Sequence, residues 1–279
     1  MALAGCVGST NPDPLPVEKT VLAIRKGAGG GSAGPVAVAS TGTGWGALKG
    51  VLTYQGEVPG PKALSVKLTP TDAPACGKHP IPDETLVVDS SSRGIANIVV
   101  YARKVTRVHE SSEAAKNAPT MFDQKECRFL EHVKAVLVGQ PIAIKNSDPM
   151  GHNTNITPVS DASFNGLLPA GSEANYSFSR AQSNPVGVAC NVHPWMKAYI
   201  IPRKDAYCAV TKADGSFEIA NLPAGEEIEL QFWHERGAGN QDSLEAAPIA
   251  KGGRLKVTLA DDDVKDLGTI EVPAAAFTP

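Results

Sequence analysis

No apolar run in this chain approaches the ~18 residues that a membrane-spanning helix requires. There is no Walker loop, no H-E-x-x-H pair and no C-x-x-C-H haem motif, so the usual signatures of nucleotide hydrolysis, zinc peptidases and c-type haem are missing. There is no basic excess either: 26 Lys and Arg stand against 29 Asp and Glu, for a net charge of −3. That argues against a broad surface for nucleic acid. Asp261-Asp-Asp263 lacks the D-x-D-x-D-G spacing of a calcium loop and reads as a solvated turn. No internal repeat of 20–50 residues and no nucleophile–base arrangement rises above background.

What is present begins with turns. The 279 residues suit one or two domains. They include 27 Gly and 22 Pro, well above the usual share of about 12% for the two together, which argues against a helical bundle. Leu3-Ala4-Gly5-Cys6 matches a lipobox, in which Cys6 would carry a lipid. Only five residues precede Cys6, fewer than a secretory signal needs, and the alternative is an inert terminus. Gly27 to Gly46 is dominated by Gly, Ala and Ser. It cannot bury enough apolar surface to offset its ordering entropy, so residues 1–45 are expected to be an anchor and flexible tether.

After Trp45 the apolar period falls to about two. Gly50 to Tyr54, Ile98 to Ala102, Val133 to Val138, Pro141 to Lys145, Tyr176 to Ser179, Ala198 to Ile201, Phe217 to Ala220, Glu227 to Trp233, Leu255 to Leu259 and Thr269 to Val272 are predicted strands. Turn residues such as Pro169-Ala-Gly171, Ala213-Asp-Gly-Ser216 and Pro223-Ala-Gly225 punctuate them. Only Ser111 to Asn117 reads as helix, with a Ser cap and Glu113. Many short strands with regular turns predict an all-β protein of β-sandwiches.

One segment carries chemistry. Cys190-Asn-Val-His-Pro-Trp-Met196 has the spacing C-x2-H-x2-M and follows the strand-like run from Val186 to Ala189. Upstream lies Asn146-Ser-Asp-Pro-Met-Gly-His152-Asn153. One thiolate, two imidazoles and a thioether suit copper: His152, His193 and Cys190 can form a trigonal plane and Met196 a weak axial contact. Zinc is the other metal for Cys/His sites, and a Met ligand argues against it. Taken singly, Cys190 could be a buried hydrophobe, His193 a surface loop residue and Met196 core filler. Pro194 has no N–H to offer the Cys190 sulfur, which predicts an electron-rich thiolate. Asn153 is placed to tie the His152 strand to the Cys190 loop.

These residues resemble the type-1 blue copper proteins, or cupredoxins, most of all the short-loop amicyanin type with C-x2-H-P-x-M. Asn146 and Asn153 flank His152 as in the first-histidine motif of plastocyanin-like proteins. Gly151 departs from the family, which usually has Pro there. The resemblance implies a Greek-key sandwich over about residues 123–203 and one type-1 copper held by His152, Cys190, His193 and Met196. It also implies that the His193 edge reaches the surface. Pro149, Met150, Pro194 and Trp195 would then form an apolar patch around that edge, unless Trp195 packs beneath the loop.

Thr211 to Gly225 resembles the carboxypeptidase-regulatory-like, transthyretin-related sandwich, with its T-x-x-x-G-x-F-x-(I/L)-x-x-L-P-x-G run. The earlier strands of that family match Gly50 to Gly56 and Asn97 to Ala102. This implies a second, transthyretin-like or Ig-like sandwich over 46–110 plus 204–272, with the copper domain inserted in it or packed beside it. Exported bacterial proteins, some labelled methylamine-utilisation-like, join two such modules.

The five cysteines include Cys190 for copper and Cys6 for lipid. Among Cys76, Cys127 and Cys208 three pairings exist. Cys76 and Cys127 flank loops, whereas Cys208 sits in a strand-like run, so Cys76–Cys127 is the favoured disulfide. His79, His109, His132 and His234 lack ligand spacing; His132 reads as structural and His234-Glu235 as solvated. With four protein ligands and no open position, the expectation is a one-electron carrier and not an enzyme. Its partner would be a redox protein such as a c-type cytochrome or oxidase, in the bacterial cell envelope. The other readings are copper storage, delivery or sensing, and an envelope binding module with incidental copper.

Overall fold

The computed structural model describes residues 43–278. Cys6 and the expected tether up to residue 42 lie outside the described residues. Strand structure is already present at Trp45 and Gly46, so these two belong to the fold and not to a tether.

The strand Trp45–Gln55 alternates inward and outward, with Leu48, Leu52 and Tyr54 buried. It lies between Ser216–Pro223, antiparallel to it, and Val264–Pro273, parallel to it. A second sheet runs in the order Cys208–Val210, Val99–Ala102, Glu227–Trp233 and Arg254–Thr258. Leu48, Leu52, Ile98, Val100, Ile219, Leu230, Phe232 and Ile270 form the core that the two sheets share. The Gly50 to Tyr54 stretch therefore pairs with late strands, not with those that carry the Cys190 loop.

The strands between these two stretches build a second pair of sheets. One is five-stranded, in the order Val133–Leu137, Lys197–Arg203, Val186–Ala189, His152–Ile156, Phe164–Leu168. The other is four-stranded: Arg128–Phe129, Thr120–Lys125, Ile142–Asn146, Glu173–Tyr176. Phe122, Phe129, Ile142, Ile144, Ile156, Phe178 and Ile200 fill the space between them, and Cys190 and Met196 are part of this core.

Val99–Ala102 is buried at every position. Val100 and Ala102 face the first core, while Val99 and Tyr101 pack with Val133, Ile201 and Trp233 of neighbouring strands. A strand covered on both faces reads as a continuous apolar run. The Arg203 guanidinium lies 4.2 Å over the Tyr101 ring and donates to the Ala102 carbonyl at 2.8 Å, joining the two pairs of sheets.

Three local expectations need correction. The strand predicted over Tyr176 to Ser179 runs instead over Glu173–Tyr176, because the Ser179 and Arg180 amides turn onto the Asp161 carboxylate. The helix Ser111–Asn117 forms, but its cap is Glu110 without a side-chain bond; the Ser111 hydroxyl is 2.9 Å from His109 Nδ1. His234 and Glu235 are not solvated: His234 is buried and Glu235 pairs with the buried His132.

Candidate metal centre

Asn146 ends its strand fully buried and organises the next loop. Its amide donates to the carbonyls of Met150, Leu168 and Pro169 at 2.7, 2.9 and 3.1 Å, and its carbonyl accepts from Asp148 N at 3.0 Å. The loop thus delivers His152 at the head of its strand in a fixed orientation. A Cβ at Gly151 would meet only the Leu168 carbonyl, at 3.8 Å, so nothing in the packing requires glycine there. The bonds of Asn146 hold the turn that proline would otherwise stiffen.

The second loop closes on itself. Cys190 N donates to Met196 O at 3.1 Å, and Met196 N to His193 O at 2.9 Å. Asn153 spans the two loops, accepting from Asn191 N at 3.1 Å through its side chain. Its backbone N–H points at Cys190 Sγ at 3.3 Å, and that of His193 does so at 3.4 Å. The sulfur therefore receives two amide donors, which corrects the expectation of an unassisted, electron-rich thiolate. Pro194 supplies no third.

His152, Cys190 and His193 converge. One donor atom from each lies within 4.8 Å of the others. His152 Nδ1 is 2.9 Å from His193 Nδ1, and Cys190 Sγ is 3.8 Å from His193 Nδ1. Exposure is 0% for both histidines and 1% for Cys190 and for Met196. With metal bonds of about 2.0–2.1 Å to nitrogen and about 2.3 Å to sulfur, these spacings correspond to angles of about 90° between the imidazoles and about 120° between Cys190 and His193. The donor set and its spacing fit a trigonal copper site, with Met196 buried at the end of the same loop.

The burial of this cluster shapes its charges. Burial opposes a charge on His152, but its bonds with Asp148 and Cys190 prevail and raise it to about 9. Burial likewise opposes a Cys190 thiolate; the two histidines and the two amides outweigh it and bring the thiol down to about 5. The fold thus favours the thiolate, the form in which a cysteine can act as a ligand.

Two carboxylates that the sequence reading missed support the histidines from outside. Asp148 Oδ2 is 2.7 Å from His152 Nε2. The same side chain takes the amides of Glu126 at 2.7 Å and Cys127 at 2.8 Å, two successive non-glycine residues with φ of 57° and 56°. Asp72 Oδ1 is 3.4 Å from His193 Nε2. Asp148 was legible in principle, four positions before His152. Asp72 was not: it reaches the site because Cys76, in the one-turn helix Ala73–Cys76, is bonded to Cys127.

That segment overturns one expectation. His193 does not reach the surface: it is fully buried, with Asp72 Oδ1 against its outer nitrogen. Pro149 and Pro194 are exposed, but Met150 turns to the disulfide, 3.5 Å from Cys76 Sγ. Trp195 is half-buried, its ring 4.9 Å from that of His193 and its indole N–H on the Cys127 carbonyl at 3.1 Å.

No family model matches the chain, and no curated protein does. Among solved structures it is similar to a copper-containing nitrite reductase from Thermus scotoductus SA-01, with 20% identity over 31% of this chain and 22% of that one and a TM-score of 0.29. It is similar to an oxidised single-residue mutant of amicyanin, with 14% identity over 44% of this chain and 95% of that one and a TM-score of 0.28. A purple cupredoxin from Nitrosopumilus maritimus is matched over its full length and 31% of this chain, at 16% identity and a TM-score of 0.26. At such TM-scores these likenesses decide neither the fold nor the chemistry of the whole chain.

Proposed function

We propose that the protein is a type-1 copper carrier of single electrons. The observation behind this reading is the buried meeting of His152 Nδ1, His193 Nδ1 and Cys190 Sγ, with Met196 closing the loop. Copper bound there would supply a one-electron Cu(II)/Cu(I) couple. The chain's own part is to hold the donors in place. Asn146 and Asn153 fix the two loops, Asp148 orients His152, and Asp72 faces the outer nitrogen of His193. Two amides stabilise the thiolate, and the surrounding core excludes water. A site held this way changes little between oxidation states, which favours fast exchange of electrons.

The working context follows from the same reading: an exported protein of the bacterial cell envelope that meets a redox partner such as a c-type cytochrome or oxidase. A disulfide fits an oxidising compartment. The deciding experiment is Cu(II) addition followed by optical and EPR spectroscopy. An intense blue thiolate-to-copper band with narrow hyperfine splitting is expected. Cys190→Ser should abolish it, and Met196→Leu should keep it with an altered potential. A colourless Cu(II) complex of the intact chain would sink the proposal. Reversible cycling without loss of copper separates carriage of electrons from storage or delivery of the metal.

A further inference from the structure

A second group of sulfurs lies beside the centre and takes no part in it. Met150 Sδ is 3.5 Å from Cys76 Sγ and 3.9 Å from Cys127 Sγ. Both cysteines are buried and Met150 is half-buried. Three sulfurs bound to one ion at about 2.3 Å in a trigonal plane stand about 4 Å apart. The thioether therefore already sits where a third ligand belongs, and only the two cysteines must part. The segment carrying Cys76 can allow this: Thr69 to Thr71, Ala73, Pro74 and Gly77 to Pro80 are exposed.

We propose that Cys76, Cys127 and Met150 form a second metal site, specific for a soft monovalent ion such as Cu(I), that exists only when their disulfide is reduced. Two thiolates and a thioether are soft donors of the kind that select Cu(I). The nearby carboxylate of Asp148 is occupied by two amides and His152. The reductant is a dithiol. It delivers two electrons and two protons, leaving Cys76 and Cys127 as thiols and itself as a disulfide. Cu(I) then displaces the two thiol protons and binds both sulfurs and Met150 Sδ. Exchange with a disulfide reverses this: it accepts the two thiolate electrons and, with two protons from water, becomes a dithiol, while Cu(I) is released, the Cys76–Cys127 bond re-forms and the site closes. Donor atoms of Cys127, Asp148 and His152 lie within 4.8 Å of one another, so the ion would rest one side chain away from the main centre.

The test uses the full chain carrying Cys6→Ser, Cys190→Ser and Cys208→Ser, which leaves this pair as its only cysteines. Cu(I) is titrated anaerobically against a chromophoric Cu(I) chelator. The dithiol form should take one equivalent more than the disulfide form. Adding Met150→Leu should weaken binding about tenfold or more, within the range seen when support for a metal is removed. Absence of competitive binding by the dithiol form, or an affinity indifferent to Met150→Leu, overturns the proposal. Should the triple variant fail to fold, native mass spectrometry of the unsubstituted chain decides: one more Cu(I) after reduction supports the site, and an equal count before and after refutes it. Because Cys190 is absent from the first experiment, its outcome is independent of whether the main centre is blue.

Discussion

Asp148 concentrates three hydrogen bonds in one carboxylate. It orients His152, and it holds the amides of Glu126 and Cys127 in a turn that non-glycine residues rarely adopt. Burial pushes its acidity down in strength, yet the bonds from His152 and from those two amides prevail and keep it ionised below the usual carboxylate range. Asp148→Asn retains the size but loses the charge. Copper affinity, measured by chelator competition, should fall about 10–100-fold, the usual effect of removing a histidine's outer partner. Asp72 is a simpler case: a bond from the Thr69 hydroxyl, outweighing burial, keeps it ionised as it faces His193.

Among the elements, Lys197–Arg203 links the two sandwiches through its last side chain. It runs antiparallel to Val186–Ala189 and parallel to Val133–Leu137, and its last side chain reaches Tyr101 and Ala102. Arg203→Met keeps the stem but strands a buried carbonyl; it should lower stability by about 2 kcal/mol, read as a shift of the urea midpoint. Most strands were legible because their alternation is local. Thr120–Lys125 was not, since its sequence TMFDQK is largely polar and it buries Phe122 together with Gln124. The approach of His152 to the Cys190 loop was legible from motif spacing together with the family resemblance. Their cover was not, because the segment of Asp72 is held beside His193 by the bond of Cys76 to Cys127, 51 positions later. The burial of His234 and Glu235 was hidden for the same reason: the partner, His132, lies 103 positions from Glu235.

Across the whole molecule, pH acts through buried groups. His234 is pushed down to about 3, first by burial and then by the charges of His132 and Arg236. The unfolded chain takes up a proton at this position below about 6.5, whereas the folded chain does not. Stability is therefore lost as pH falls below about 6.5, by about 1.4 kcal/mol between pH 7.5 and 5.5 from this group alone. His234→Asn keeps an acceptor for the Arg236 amide and should flatten that part of the slope in urea titrations of the metal-free protein. An unchanged slope would show that His234 is not the group responsible. Cys190 adds a loss of the same sign as pH falls through about 5, whereas the contribution of His152 disappears in the other direction, as pH rises through about 9.

The parallel pairing of Trp45–Gln55 with Val264–Pro273 also sets a timetable. The amide of Trp45 is bonded to Asp261, 216 positions later. A chain made at 5–20 residues per second, N-terminus first, needs roughly 10–40 s to bring the two together. Residues 120–203 emerge within that interval as a contiguous stretch whose sheets need no later strand. Birth order thus favours the loops of His152 and Cys190 taking shape first, while the strand Trp45–Gln55 waits for Ser216–Pro223 and, last of all, for Val264–Pro273. Truncating the chain before Val264 should leave that strand without a parallel neighbour, and the opening sandwich should then become the protease-sensitive part.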